Sequence, residues 1–288
     1  MNFIDRRTGS DTLLIILAGY KQQLYNVVFD RLIDSDIEGI DVCIVSSGVH
    51  DAKLEGIAAK HGFSYFYSDL NNICWCENKV IEIFDTAKYI FKMDEDIFVT
   101  KNTFKRLLND FIITSKMSHF VPSSVVPLIN VNCTTYRTVL ERAGKLDEYE
   151  KKFGKAVITN GLHHHKHVLE NPEIAKFIWK SVDIDKYQTG FFNECIPCPT
   201  RFSIGLILFT REVWEMMEHF TVELDAEEDY RRKGLGTDEK DLCKFAMMKA
   251  MPMMISPNVL VGHLGYGPQT PAMLQFFEQN RKYFVKKI

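Results

Sequence analysis

The rest of the chain is interpreted from one stretch, Tyr89-Ile90-Phe91-Lys92-Met93-Asp94-Glu95-Asp96-Ile97-Phe98-Val99. Apolar residues lead into it and out of it, and three consecutive carboxylates lie between them. A buried β-strand would carry these carboxylates out at its C-terminal end. Side chains at positions i and i+2 of extended backbone point the same way, so we expect Asp94 and Asp96 to converge, with Glu95 turned aside. A divalent cation would relieve the repulsion among them. The alternative is a charged turn after a strand.

Buried strands alternate with helices on the N-terminal side of this stretch. Because the strands are apolar on both faces, they predict an α/β fold with a mostly parallel central sheet and helices on both of its faces. The pattern predicts strands at 13–19, 41–48 and 63–67, and helices at 21–33, 51–60, 75–87 and from Asn102 or Thr103.

The ends of these strands predict a ligand site. In such sheets ligands bind beyond the carboxyl ends of the strands. Gly19 and Tyr20 follow the first strand, Ser47 ends the second, and the acidic stretch ends the fourth. We therefore expect all three ends to face one crevice.

The order of elements resembles the GT-A fold of nucleotide-sugar-dependent glycosyltransferases, of the family 2-like kind, over residues 12–110 and 200–265. An Asp-x-Asp motif in that fold holds a metal against the donor diphosphate. The resemblance therefore implies Asp94 and Asp96 as ligands of Mn²⁺ or Mg²⁺. Many members complete the metal shell with a late histidine, and His263, after the apolar run 259–261, has the corresponding place. An imidazole ligand suits Mn²⁺ better than Mg²⁺.

The resemblance also implies the residues around donor and acceptor. Inverting members place a general base at a helix start in the region of Asp238 and Glu239, and the sequence does not choose between these two acids. A nucleoside-diphosphate sugar would contact the strand ends and the segments beside them. The residues expected there are Gly19, Tyr20, Ser47, Lys79, Asp94, Glu95 and Gly205. Lys79 could equally be a solvated helix lysine. Where this chain has Ser46-Ser47, many members have an acid that contacts the nucleotide base or ribose. The identity of the donor's nucleotide base therefore stays open, and UDP is the most common donor nucleotide in the class.

The function implied is transfer of a sugar from a nucleoside-diphosphate sugar to a glycan or lipid-linked acceptor, in surface polysaccharide synthesis. One alternative is a sugar-nucleotide nucleotidyltransferase, which would need a glycine-rich basic loop where this chain has Ala18-Gly19-Tyr20-Lys21. A second is a non-catalytic glycan-binding protein of the same fold, in which the acidic motif or His263 would be eroded.

The second half of the chain continues the alternating pattern less regularly. We expect a helix at 136–151, strands at 119–127, 202–209, 253–255 and 259–261, and helices capped by Thr210 and Thr237. A single domain is expected, with a nucleotide-sugar-binding half at 1–127, an acceptor-side insertion at 128–200 and a catalytic half at 201–288. The insertion contains a histidine cluster at 163–167 which, with Cys195 and Cys198, forms a weak zinc pattern.

Composition limits the remaining possibilities. The 288 residues are 46% hydrophobic and 25% charged, with a formal net charge of −3, which is typical of a soluble globular protein without a nucleic-acid partner. The first apolar run, Leu13 to Ala18, is too short for a signal core or membrane span, so a cytoplasmic protein with free thiols is expected. The segment 273–287 places Met273, Phe276, Phe277, Asn280 and Phe284 on one helical face. This face predicts either a helix packed on the domain or peripheral contact with the inner face of a membrane.

Overall fold

The computed structural model describes residues 1–117, 121–157, 166–187, 194–198, 202–225 and 229–286. The strands in these ranges are β1 (Asn2–Ile4), β2 (Thr12–Leu17), β3 (Asp41–Ser47), β4 (Ser64–Ser68), β5 (Tyr89–Asp94), β6 (Ile97–Phe98), β7 (Ser124–Ile129), β8 (Ile196–Pro197), β9 (Leu206–Thr210) and β10 (Met253–His263). The helices are α1 (Tyr25–Ile33), α2 (Ala52–His61), α3 (Ile73–Ile83), α4 (Thr103–Met117), α5 (Tyr136–Arg142), α6 (Leu146–Phe153), α7 (Lys166–Glu170), α8 (Pro172–Ser181), α9 (Arg211–Met216), α10 (Asp229–Arg232), α11 (Thr237–Met248) and α12 (Thr270–Gln279).

One sheet runs through the molecule in the order β1-β4-β3-β2-β5-β9-β7-β10-β6, with β8 paired to β10. Strands β2, β3, β4 and β5 are parallel, and β7 is parallel to β10. Strand β9 is antiparallel to its neighbours β5 and β7, which it separates. The predicted α/β fold with a mostly parallel central sheet is confirmed. Strand β7 crosses the domain division expected at residue 127, so that division does not coincide with a break in the sheet.

Local sequence signals determined several element ends. Asp51 caps α2 by accepting hydrogen bonds from the N–H groups of Lys53 and Leu54, and Gly62 ends that helix with φ 71°. Thr210 caps α9 as predicted, because its hydroxyl accepts from Val213 N. Strand β2 is apolar on both faces because helices and neighbouring strands bury it, and Leu13 through Ile16 are fully buried.

Several element boundaries differ from the predictions. The helix expected at 136–151 is two helices, because Gly144 between them has φ 64°, a left-handed conformation that ends α5. The two short strands expected at 253–255 and 259–261 form the single strand β10, whose register shifts between Ser256 and Leu260. Helix α11 begins at Thr237, but its cap position is Gly236 and no side chain caps it. Of the strand expected at 119–127, residues 118–120 lie outside the described residues and β7 begins at Ser124.

The C-terminal segment is packed into the core. Helix α12 ends at Gln279, and Met273, Phe277 and Phe284 are fully buried. The ring of Phe284 lies 4.2 Å from that of Trp179 and 5.3 Å from that of Phe98, measured between centroids. The apolar face that could have contacted a membrane is therefore inside the protein, and the packed-helix alternative holds for it. None of the helices in the described ranges combines the length and apolarity that crossing a membrane requires.

Candidate active site

A cavity of about 430 Å³ lies at the carboxyl ends of β2, β3 and β5, where the sequence predicted a ligand crevice. Helix α11 closes its opposite side with its first turn. The predicted site residues that line the cavity are Tyr20, Ser47, Asp94, Glu95, Asp238 and Glu239. Residues from four separate stretches of the chain therefore meet there, three of them because the parallel strands end at one edge of the sheet.

Asp96 and His263 meet beside this cavity. The antiparallel pairing of His263 with Ile97 brings the end of β10 against the residues that precede β6, and Leu264 N donates to Asp96 O. His263 Nε2 lies 3.7 Å from Asp96 Oδ2. His263 Nδ1 lies 2.9 Å from the carbonyl oxygen of Val131. Since a carbonyl only accepts, Nδ1 carries a proton, and this hydrogen bond orients the ring with Nε2 toward Asp96.

Lys21 already neutralises Asp96. Its Nζ lies 2.8 Å from Asp96 Oδ2, and only 3% of the aspartate side chain is exposed. Burial raises the pKa of Asp96, but Lys21 and His263 outweigh burial, so that this pKa lies below its ordinary value. Burial lowers the pKa of Lys21, but the charges of Asp96 and Glu95 outweigh burial, so that this pKa lies above its ordinary value. The ammonium therefore stays charged at neutral pH.

Asp94 belongs to a different ionic cluster. Its Oδ1 lies 2.8 Å from Nζ of the buried Lys92, which also lies 3.1 Å from Asp238 Oδ2 and 3.4 Å from the carbonyl oxygen of Ile204. Burial raises the pKa of Asp94, although Lys92 opposes this. Glu77 is buried near the same cluster. The ammonium of Lys92 thus joins an acid from β5 to an acid from α11.

Asp94 and Asp96 take different lysines as ion-pair partners, although the charge of Asp96 still acts to raise the pKa of Asp94. Strand β5 ends at Asp94, and Glu95 and Asp96 form a turn, so the i and i+2 rule for extended backbone does not extend to Asp96. Each of the two aspartates has a lysine of its own. No group of three or more His, Cys, Asp or Glu side chains that could hold a metal occurs within the described ranges.

The pair Asp96 and His263 nevertheless suits a divalent cation that is completed by substrate. Catalytic Mg²⁺ is commonly bound by one or two protein carboxylates, with water and phosphate oxygens filling the other positions. An imidazole nitrogen beside a carboxylate shifts the preference toward Mn²⁺. The structure thus brings together two side chains that could bind the metal, Asp96 and His263. Asp94 is not one of them.

Glu95 fixes the loop after β2. Its Oε2 accepts hydrogen bonds from the backbone N–H groups of Gly19, Tyr20 and Lys21, at 2.9, 3.1 and 3.1 Å. Burial raises the pKa of Glu95, and Lys21 and the three N–H groups oppose it. Consecutive backbone N–H groups of this kind form an anion site in many proteins, and here the chain's own carboxylate fills it.

The remaining predicted site residues each make different contacts. Tyr20 donates to the carbonyl oxygen of Ser47 across the cavity mouth. Glu239 Oε2 accepts from Ile204 N at 3.3 Å. Gly205 packs so closely that a Cβ there would lie 2.5 Å from Ile97 Cδ1, which explains why a glycine precedes β9. Lys79 lies on an exposed part of α3, paired with Glu82 at 2.7 Å, and does not line the cavity.

Three charged residues of the site were not anticipated. The sequence places Lys21 at the end of the first strand and indicates no partner for it. Lys92 could have been noticed, because a lysine within an apolar buried strand requires buried acidic partners. Glu77 precedes Val80 and Ile81 by three and four positions, which places it on the buried face of α3.

The zinc pattern cannot be assembled from the described residues. His163, His164 and His165 lie outside them, and the side chain of His167 is not described. Cys195 and Cys198 flank β8 and are partly buried.

Comparison with known proteins returned structures only. No protein-family model and no curated protein matches the chain. A mannosyltransferase from Pyrobaculum calidifontis, in complex with GDP-Man and Mn²⁺, is 13% identical with a TM-score of 0.46, over 90% of this chain and 58% of that one. Residues 1–349 of S. aureus TarS are 11% identical with a TM-score of 0.45, over 94% of this chain and 64% of that one.

A nucleotidyltransferase matches at a similar level. The CMP:2-keto-3-deoxy-manno-octonic acid synthetase complexed with CTP is 10% identical with a TM-score of 0.44, over 94% of this chain and 100% of that one. The chain therefore spans less than two thirds of the two glycosyltransferase structures and the whole of this synthetase. At such identities and TM-scores the matches do not bear on substrate, and the fold assignment rests on the sheet topology.

Proposed function

We propose that this chain is a metal-dependent glycosyltransferase that moves a sugar from a nucleoside-diphosphate sugar, a UDP-sugar by preference, to a glycan or lipid-linked acceptor. The observation that carries the proposal is the meeting of Asp96 and His263 at 3.7 Å beside a cavity whose opposite wall carries Asp238 and Glu239. A donor site and an acceptor base are thereby offered across one crevice. Surface polysaccharide synthesis is a process that such transfer would serve.

Asp96 and His263 would hold Mn²⁺ or Mg²⁺ in this proposal. Such an ion, when bound, stabilises negative charge on the departing diphosphate as a Lewis acid. The hydrogen bond from His263 Nδ1 to the Val131 carbonyl orients the ring, so that Nε2 faces Asp96. Tyr20 and Ser47 line the part of the cavity that lies at the ends of β2 and β3, where the nucleoside would lie.

Asp238 or Glu239 would accept the proton of the acceptor hydroxyl as it attacks the anomeric carbon. Both line the cavity at the first turn of α11. Lys92 holds Asp238 from beneath and keeps the carboxylate in place. In an enzyme that retains configuration neither acid need act as a base. Residues 1–127 would then serve the donor and 201–288 catalysis, with 128–200 on the acceptor side.

The conformation of Glu95 supports glycosyl transfer over nucleotidyl transfer. A nucleotidyltransferase uses a glycine-rich basic loop after its first strand to bind nucleotide phosphates. The N–H groups of residues 19–21, which would serve that purpose, are occupied by Glu95. A triphosphate would have to displace a buried carboxylate to reach them.

Incubation of the protein with Mn²⁺ and a panel of nucleotide sugars, followed by measurement of released nucleotide, tests the proposal. We expect release from one or a few donors, reversible inhibition by EDTA, and loss of turnover in Asp96→Asn. Asp34→Asn is the control, because this exposed acid pairs with Lys286 and does not line the cavity. Pyrophosphate released from a nucleoside triphosphate and a sugar 1-phosphate would instead identify a nucleotidyltransferase. Glycan binding without either reaction would identify a non-catalytic protein, and full activity in EDTA would remove the metal from the mechanism.

A further inference from the structure

Lys21 binds the carboxylate oxygen of Asp96 that lies near the His263 ring. Its ammonium lies 2.8 Å from Asp96 Oδ2, and the same oxygen lies 3.7 Å from His263 Nε2. Asp96 is almost completely buried, whereas 24% of the Lys21 side chain is exposed. The carboxylate oxygen closest to the imidazole is thus already bound to a positive charge.

The position of Lys21 is set by the backbone. Glu95 accepts the N–H group of Lys21 itself and those of the two residues before it, which holds the start of the lysine side chain beside Asp96. The rest of that side chain is a flexible four-carbon stem with a compact ammonium, which can change partners without moving the loop. Lys21 also lines the cavity, so the ammonium has space to enter.

We propose that Lys21 is the resident counter-ion of the metal site, and that its ammonium and a divalent cation bind Asp96 in mutually exclusive fashion. The inference rests on the metal assigned to Asp96 and His263 in the proposed function. Both cations would bind the carboxylate of Asp96 beside His263, and two cations in contact within a buried site repel strongly. Entry of the metal therefore requires Lys21 to leave, and the displaced ammonium meets the cavity in which the donor diphosphate would lie.

Competition of this kind has a direction that a merely structural lysine would not produce. Removing a lysine that only holds the Asp96 carboxylate in place would leave metal affinity unchanged or lower it. Removing a competing cation raises metal affinity, because the metal no longer displaces an ion pair. A lysine that passes to the diphosphate also has an opposite effect on nucleotide: its loss should weaken UDP binding in the presence of saturating Mn²⁺.

Titration of Mn²⁺ alone, followed by electron paramagnetic resonance of the free ion, tests the competition on the full chain. We expect Lys21→Met and Lys21→Gln to bind Mn²⁺ about tenfold more tightly than wild type, a change equivalent to about 1.4 kcal/mol. Lys53→Met is the matched control, because this exposed lysine of α2 reaches Gln22 O at 3.5 Å and not Asp96. Adding Asp96→Asn to Lys21→Met should abolish the gain.

Unchanged or weaker Mn²⁺ binding in both Lys21 variants would overturn the inference, and circular dichroism establishes that each variant is folded. Because the titration contains no donor, its outcome is separate from that of the turnover assay. Tighter Mn²⁺ binding without turnover of any nucleotide sugar would keep the inference and remove the proposed function. Turnover of a nucleotide sugar without tighter Mn²⁺ binding in the Lys21 variants would keep the proposed function and remove the inference.

Discussion

The proposed general base is one of two adjacent acids at the first turn of α11. Asp238 Oδ2 lies 3.1 Å from Lys92 Nζ, while Glu239 accepts a backbone hydrogen bond from Ile204. Loss of general-base catalysis costs about 10²–10⁴ in rate, whereas loss of a carboxylate that merely complements the helix dipole costs about 0.3–1 kcal/mol of stability. Loss of a general base would therefore be measured as a change in rate, and loss of a structural carboxylate as a change in stability.

We expect either Asp238→Asn or Glu239→Gln, with Asp238→Asn favoured, to lower kcat at least about a hundredfold with donor binding intact. Asp241→Asn is the control, because this acid lies on the same helix but accepts from Thr221 N outside the cavity. Asp238→Asn should also lower the melting temperature, since it removes one partner of a buried ammonium. Near-normal kcat in both amide variants would place the base elsewhere.

Glu77 predicts a pH dependence of stability. Neither of its buried carboxyl oxygens has a hydrogen-bond partner among the described residues. Burial raises the pKa of Glu77, Asp238 and Asp94 add to the rise and Lys92 opposes it, so that the folded-state pKa lies well above 4.5. The folded protein thus holds this proton more tightly than the unfolded chain does. Its contribution to stability is complete below the unfolded pKa and is lost as the pH rises toward the folded pKa.

The variant Glu77→Gln mimics the protonated acid and lacks this dependence. We expect its melting temperature to approach that of wild type at pH 5 and to exceed it by several degrees at pH 8, at about 2–4 °C per kcal/mol. Glu82→Gln on the exposed face of α3 is the control and should show no such divergence. A difference that stays constant across this range would mean that Glu77 is ionised in the folded protein.

At the scale of elements, the break between α5 and α6 depends on one backbone conformation. Gly144 has φ 64°, and a Cβ there would meet nothing within 4 Å, so the cost of a side chain is purely conformational. We expect Gly144→Ala to lower the free energy of unfolding by about 1–2 kcal/mol. Gly56→Ala within α2, which also meets nothing within 4 Å, should raise it by about 0.5–1 kcal/mol. Urea unfolding measures both changes in free energy. A change in the same direction for both variants would contradict the left-handed conformation assigned to Gly144.

At the scale of the whole molecule, the C-terminal segment closes the core around Phe98 and Trp179. Phe284 is fully buried, with its ring 5.0 Å from that of Phe277 and 4.2 Å from that of Trp179. We expect Phe284→Ala to cost about 3–5 kcal/mol of stability by thermal or urea unfolding. Val285→Ala is the neighbouring control, because that side chain is 39% exposed. Co-sedimentation of wild type with anionic vesicles, lost on truncation before Met273, would instead restore the membrane alternative.

The sequence by itself determined the class of fold and the edge of the sheet at which the site lies. Strands apolar on both faces can only be buried from both sides, and parallel strands end at a common edge. Local capping was also readable, since the Thr210 hydroxyl bonds a group three residues away in the chain. These features depend on residues close in sequence, and short-range geometry constrains them strongly.

Only the tertiary structure decided which charges face each other. Asp94 and Asp96 pair with different lysines, since β5 ends at Asp94 and β6 then pairs with β10, a strand far along the chain. That pairing brings His263 to Asp96, and the same packing brings Lys21 to Asp96 and Lys92 to Asp238. A buried charge takes its partner from whichever element lies against it, and this depends on the assembled sheet, not on spacing in the chain.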